Sequence, residues 1–346
     1  MGSSKRIESV DVLRGLTMAL MLIVDNLGGP TFAPFSHAEW NGFTPTDFIF
    51  PTFIFVMGVS MSLSLRKSNY KLSWKKVLKR TLLLFGIGLL LNEISQAVWV
   101  GTWSLHTLRI MGVLQRFALC YFFAAILVCT VDHKWLGWIS AFLLAGYALL
   151  LWLGNGYVHG PENILAKADG AVLGSTHVYK WDKGVDPEGL LSTIPAVAHT
   201  LIGFLVGKLL IDKKMRSIDL LGTALLFGGF LLMWVLPLNK KVWSPSFVLV
   251  VCGLDALLLS LLHYLIDESG KWKHIGFWKV YGTNSILSYI LCFVLVWTMT
   301  LTHWNSAVMS FLGQNPWTAL LYAILGDLII YLILLPLYKK KIFVKL

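Results

Sequence analysis

Apolar residues fill ten long blocks of this chain, at about 12–30, 48–65, 80–99, 109–130, 135–153, 190–211, 217–236, 246–266, 283–302 and 318–338. Each block approaches the roughly 20 residues that a helix needs to cross the hydrocarbon core of a bilayer. The short alternating strands of a membrane barrel are absent from the pattern. The sequence therefore predicts an all-α integral membrane protein of about ten transmembrane helices, one polytopic domain over residues 1–346, with its active-site pocket within the helix bundle. Most connections are short, but two, at about 31–47 and 154–189, are long enough to build a site. Lys5-Arg6 leads straight into the first block without a small-residue cleavage site, so no cleaved signal is expected.

Composition agrees with the pattern. Hydrophobic residues make up 56% of the chain and charged residues 14%, with a mean hydropathy of +0.70, far from a soluble domain. The formal charge of +11 raises nucleic acid as a partner, but its placement explains it otherwise. With the amino terminus in the cytoplasm, 21 of the 29 basic residues fall inside, including Lys5, the cluster Arg66 to Arg80, and Lys339 to Lys345. This positive-inside bias predicts both termini cytoplasmic and needs no nucleic acid. The four cysteines lie within blocks at no metal-ligand spacing, so neither a metal nor a disulfide is expected. No Asn-x-Ser/Thr acceptor occurs, which favours a bacterial inner membrane over a glycosylating lumen.

Chemistry concentrates between the first two blocks, in Ser36-His37-Ala38-Glu39-Trp40-Asn41-Gly42-Phe43-Thr44-Pro45-Thr46-Asp47. His37 is a candidate general base or acyl-accepting nucleophile, or else a solvated loop histidine. Asp47 and Glu39 are candidates to orient it. Asp47 also has a plainer reading, since Thr44 caps a helix with Pro45 first and Asp47 third. Trp40 suits the face of a sugar or an interfacial aromatic belt, and Asn41 suits a sugar hydroxyl or a turn before Gly42. Asp25 and Asn26 lie near the outer end of the first block, with Asn26 a candidate substrate contact. In Asp186-Pro187-Glu188-Gly189, Asp186 is expected to cap the next helix, and Asp186 and Glu188 are candidate substrate contacts. Asp11 and Arg14 share a helical face. Arg109 and Arg116, seven apart, are expected on one face of the fourth span with Gln115 alongside, and the Arg116 guanidinium is placed to hold a phosphate or pantetheine carbonyl or to neutralise Glu93 or Asp327. Asn284 and Ser285 open the ninth block as a phosphate-binding helix start or an ordinary cap. His199, Asp255 and Asp327 are intramembrane polar groups with no assigned partner, and they support an alternative, an amino-sugar or oligosaccharide transporter.

Taken together these segments resemble the heparan-α-glucosaminide N-acetyltransferase family. The resemblance rests on Ser9-Val10-Asp11 with Arg14-Gly15, His37 to Gly42 with Asp47 and Phe50-Pro51, and Gly112-Val113-Leu114-Gln115-Arg116. It continues through Asp186 to Gly189, Leu238 to Ser244, Asn284-Ser285-Ile286-Leu287 and the basic tail, in family order over nearly the whole chain. It implies a transmembrane acyltransferase that moves acetyl from cytoplasmic acetyl-CoA to the amine of a glucosamine-type sugar on the far side, with His37 catalytic. Arg14, Gln115, Arg116, Asn284 and Ser285 become candidate contacts for acetyl-CoA. The resemblance also implies a homodimer. The lysosomal member has a luminal domain before its first span that this sequence lacks, so a compact bacterial member is expected.

Overall fold

The computed structural model describes residues 6–344, so Lys5 and Lys345 of the basic ends lie outside the described residues. The described chain is helical, in the order α1 (Glu8–Asp25), α2 (Pro45–Leu65), α3 (Trp74–Val100), α4 (Val113–Thr130), α5 (Leu136–Leu153), α6 (Ile164–Leu173), α7 (Thr193–Ile211), α8 (Met215–Leu232), α9 (Pro245–Leu262), α10 (Gly276–Thr283), α11 (Ser285–Leu301), α12 (Trp304–Leu312) and α13 (Pro316–Lys339). All ten apolar blocks are helical. Among the described residues, eight helices are long and apolar enough to span a bilayer, and the pair α10–α11, bent by 85°, makes a ninth when counted as one. Helix α1 has 18 residues but includes Glu8, Asp11, Arg14 and Asp25, more charge than such a span ordinarily carries.

The chain divides into two compact units. Of the described residues, one comprises 6–37, 44–53 and 258–344; the other comprises 38–43 and 54–257. In the first, α1 packs on α10 through bare backbone. A Cβ on Gly15 would strike the Trp278 carbonyl, and one on Gly282 would strike that of Asp11. Helix α1 has no cap of its own, and Asp267 supplies one from a π-helical turn, accepting from the N–H groups of Glu8 (2.9 Å) and Ser9 (3.0 Å). His263 holds the same carboxylate at 3.1 Å.

In the second unit α7 is the most enclosed helix, with fourteen buried positions among its 19 residues, and α4, α5 and α8 pack on it. Gly203 and Gly207 of α7 meet Gly58 and the backbone at Phe55 and Val59 of α2, so those two helices touch main chain to main chain. Small residues are what permit such approach where lipid supplies no hydrophobic drive between helices. Helix α5 shows the complementary rule. Trp138, Phe142, Leu149 and Trp152 lie on an exposed apolar face, while Leu144, Tyr147 and Leu151 on the other are buried. An apolar surface of that kind suits lipid.

Candidate active site

His37 and Asp47 belong to the first unit and meet there. The approach to His37 is fixed by a 3-10 turn over Ala33–Phe35, by Thr31 Oγ1 on Ser36 Oγ at 2.7 Å, and by Thr46 Oγ1 donating to the Pro34 carbonyl at 3.0 Å. His37 Nδ1 lies 2.7 Å from Asp47 Oδ1. The Asp47 side chain is 1% exposed and the His37 side chain 50% exposed, so the carboxylate is enclosed while the ring opens outward. The other carboxylate oxygen accepts from the Thr44 N–H (3.1 Å) and hydroxyl (3.0 Å). Asp47 therefore closes the start of α2 as its third residue and orients His37 as well; the two readings of this acid describe one group. An ionised carboxylate only accepts, so a neutral ring facing one places its proton on Nδ1 and its lone pair on Nε2. That tautomer is the one a general base or nucleophile needs.

Residues 38–43 of the same loop belong to the second unit and are fastened within it. The Trp40 indole donates to the Tyr157 carbonyl at 2.8 Å and stacks on His159 at 4.2 Å. Asn239 donates to Asn41 Oδ1 at 3.1 Å, Gly42 N–H donates to the Leu238 carbonyl at 2.8 Å, and Lys241 Nζ donates to the Glu39 carbonyl at 2.7 Å. His159 and Lys241 converge on Asp182 at 2.7 and 3.0 Å. Trp40 and Asn41 thus hold this segment to the loops around 157 and 239. Sequence reasoning missed His159, Asp182 and Lys241 because their partners lie 23 to 202 residues away. The only local hint was the length of the loop at 154–189.

Two expectations are corrected by this unit. Arg109 is not on the fourth span: α4 begins at Val113, and Asn92 donates to the carbonyls of Arg109 (2.8 Å) and Met111 (3.0 Å), holding the segment before the helix. Asp186 does not cap α7, which begins at Thr193 after turns through Gly189 and Leu190. Its carboxylate instead receives Arg109 Nε at 3.0 Å, and Arg109 Nη2 reaches Glu188 at 2.6 Å. Burial disfavours the Arg109 cation, but the two carboxylates outweigh it and hold its pKa above the ordinary arginine value. Asp169 of α6 supports the turn by accepting from the Leu190 N–H at 2.8 Å. Burial raises its pKa to about 6 against that hydrogen bond.

Arg116 is fully buried on α4. Its Nη2 donates to the Gly189 carbonyl at 3.0 Å and to the Ser192 hydroxyl, and its guanidinium lies 4.9 Å over the Trp243 ring. Gln115 beside it is buried against Gly88. Glu93 accepts instead from the Ser104 N–H at 3.0 Å.

In the first unit, Arg14 donates to the Gly282 carbonyl at 3.1 Å and lies 3.5 Å from Asp11, which also binds Arg6. Asn26 donates to the Leu22 carbonyl (2.7 Å) and to Cys292 Sγ (3.4 Å). Asp327, without an assigned partner in the sequence, accepts from the Tyr281 hydroxyl at 2.8 Å. Asn284 sits at the α10–α11 bend, where its amide donates to the Ile342 carbonyl (3.2 Å) and accepts from Val344 N–H (2.9 Å). Ser285 opens α11. Among the described residues no group of three or more His, Cys, Asp or Glu side chains is arranged to hold a metal.

Fold and geometry define a polytopic helical membrane protein with a histidine–aspartate pair at the head of a span. Residues 6–235 match the family model described as heparan-alpha-glucosaminide N-acetyltransferase, catalytic, and the chain belongs to that family. Heparan-alpha-glucosaminide N-acetyltransferase of Homo sapiens is 29% identical over 82% of this chain and 52% of its own length. The Mus musculus protein of the same name is 28% identical over 99% of this chain and 61% of its own length. The chain therefore spans about half to three fifths of these relatives. His37, Asp47, Arg116 and Asp186 fall inside the matched region, and Asn284 falls beyond it.

Proposed function

We propose that this protein is a transmembrane acetyltransferase that moves acetyl from acetyl-CoA to the amine of a glucosamine-type sugar. The observation that carries the reading is the His37 Nδ1 to Asp47 Oδ1 contact of 2.7 Å, an exposed imidazole on an enclosed carboxylate, in a chain of this family. The incoming amine forms its bond to the thioester carbonyl carbon and gives its proton to His37 Nε2. The carbon–sulfur bond breaks, and CoA leaves as the thiolate, which the imidazolium reprotonates. Asp47 stabilises the imidazolium and keeps the tautomer. In the two-step variant Nε2 itself takes the acetyl group and passes it to the amine.

The positive-inside distribution supports cytoplasmic termini, and with them a cytoplasmic supply of acetyl-CoA and an acceptor on the opposite side. Among the candidate contacts for acetyl-CoA, Arg116 fits best, because it keeps N–H groups without an acceptor among the described residues. Asn284 fits least well, because both ends of its amide are bonded to residues 342–344. Assembly as a homodimer is carried over from the resemblance, and light scattering of the purified protein tests it; the absence of an Asn-x-Ser/Thr acceptor supports residence in a bacterial inner membrane.

The test is acetyl transfer from labelled acetyl-CoA to glucosamine by purified protein in bilayer discs. Wild type should yield N-acetylglucosamine and CoA, and His37→Ala should yield neither while remaining folded. Normal turnover by His37→Ala would remove the reading. An acetyl adduct on His37 after incubation with acetyl-CoA alone would select the two-step variant, and CoA release that strictly requires the amine would select direct transfer.

A further inference from the structure

We infer that the start of α3 and the turn before it form a docking surface for anionic phospholipid, with phosphate against basic side chains and acyl chains along the helix. The surface lies wholly within the second unit. The fifteen residues from Arg66 to Arg80 carry seven cations and no acid. Six of the seven are exposed, and none of them pairs with a carboxylate among the described residues. Elsewhere in the same unit Arg109 meets Asp186 and Lys241 meets Asp182. Within α3, Lys75 and Lys79 stand one turn apart, as do Lys76 and Arg80. Like charges at that spacing repel, and Lys75 and Lys76 also sit at the positive end of the helix dipole. The fold concentrates positive charge here and supplies no counter-charge of its own.

The seventh cation carries the surface inward. Arg80 is half-buried, with its guanidinium 4.4 Å over the Tyr121 ring of α4. Its Nε is enclosed and has no acceptor among the described residues. The tyrosine offers a ring face to the cation but no anion. Trp74, one turn and a half earlier, lies 6.5 Å from Phe122 of the same helix, so an aromatic edge flanks the charge.

What lies beside the cations decides the partner. Trp74, Leu78 and Leu82 follow one another at four-residue steps along α3, and all three are exposed. Lys75 and Lys79 adjoin this apolar line. A partner must therefore bring negative charge and hydrocarbon side by side. An acidic soluble protein or a nucleic acid brings the first without the second, whereas a phospholipid brings both. Helix α3 is long and apolar enough to span a bilayer, which puts the lysines at its start level with the headgroups and Leu82 among the acyl chains. Each basic side chain at an anionic bilayer surface strengthens attachment by about fivefold. On the orientation proposed above, this lipid belongs to the cytoplasmic leaflet.

Spin-labelled lipids in phosphatidylcholine discs that hold the full chain test the inference, because lipid held by the protein is immobilised on the spectral timescale. Wild type should hold phosphatidylglycerol about fivefold or more in preference to phosphatidylcholine, and 1 M salt should remove most of that preference. Lys75→Gln, Lys76→Gln and Lys79→Gln combined should abolish most of it at an unchanged melting temperature, since all three positions are exposed. Lys213→Gln, Lys214→Gln and Arg216→Gln combined remove the same charge from another exposed stretch and should leave the preference intact. Arg80→Gln alone should weaken it by about fivefold, and serves where the first triple variant does not fold. No preference in wild type, or equal losses in the two triple variants, overturns the site. Retention of polyglutamate by wild type in neutral discs, without preference for phosphatidylglycerol, would make the partner an acidic protein and overturn it equally.

Discussion

His37 with Asp47 and Arg109 with Asp186 and Glu188 are both pairings of a basic side chain with enclosed carboxylate, yet they are built for opposite ends. Arg109 is 24% exposed and spends its guanidinium on two acids, one of them 1% exposed. His37 is 50% exposed and holds one acid through one nitrogen. The arginine cannot release its proton at any useful pH, so its network ties the loop before α4 to the turn before α7. The His37 ring meets its acid through Nδ1, and its second nitrogen points away from that acid. The same ingredients give a fastening in one case and, on the proposed function, an acid–base group in the other, according to the base chosen and how much of it is covered.

Substitutions separate the two regions. His37→Gln should reduce acetyl transfer by about 10²–10⁴-fold, the range of a general base, with little effect on unfolding in a mild denaturing detergent. Arg109→Met should do the reverse, destabilising the protein by about 3–5 kcal/mol, because Asp186 and Glu188 are left buried without their cation. Adding Asp186→Asn and Glu188→Gln should recover much of that loss, and a null recovery would deny the ion network its role. Asp47→Asn should lower kcat by up to about 10⁴-fold through the wrong imidazole tautomer, with KM for the amine nearly unchanged.

Smaller effects sharpen the contrast further. Asp169 has its pKa raised to about 6, so the folded state binds its proton more tightly than the unfolded chain does. Its contribution is therefore present at low pH and lost as pH rises through about 4 to 6, a change of about 2–3 kcal/mol. Asp169→Asn should flatten the stability profile across that window, and an unchanged slope would contradict the assignment. Trp40→Phe removes the indole hydrogen bond to Tyr157 but keeps a ring beside His159, and should cost about 1 kcal/mol of stability. A raised KM for the sugar at unchanged stability would instead make Trp40 an acceptor contact.

How much of this was legible beforehand follows from the distance over which each feature is decided. Helices declared themselves because lipid demands long apolar runs, and every expected block is helical. The helix start at Thr44-Pro45-Thr46-Asp47 was readable because a cap is a four-residue motif, and it delivered the His37 partner ten residues away. Arg109 was misplaced because the apolar run continues through Met111, while the actual helix start depends on Asn92, from another helix. Asp186 was misassigned for the same reason: its cap-like sequence is overridden by an arginine 77 residues earlier. Trp40 lies 117 residues from the carbonyl it binds, and nothing local announces that. His199 was read as an intramembrane polar residue without a partner, and its ring nitrogens have none among the described residues.

On the proposed function, one chain passes acetyl across a membrane, with His37 as the group that handles the proton or the acetyl. Vesicles holding the protein in the orientation with its termini inside, loaded with acetyl-CoA and bathed outside in glucosamine, test it most directly. N-acetylglucosamine should appear outside and CoA inside in equal amounts, and neither should appear with folded His37→Ala. Unmodified glucosamine accumulating inside without acetyl-CoA, or transfer undiminished in His37→Ala, would contradict it.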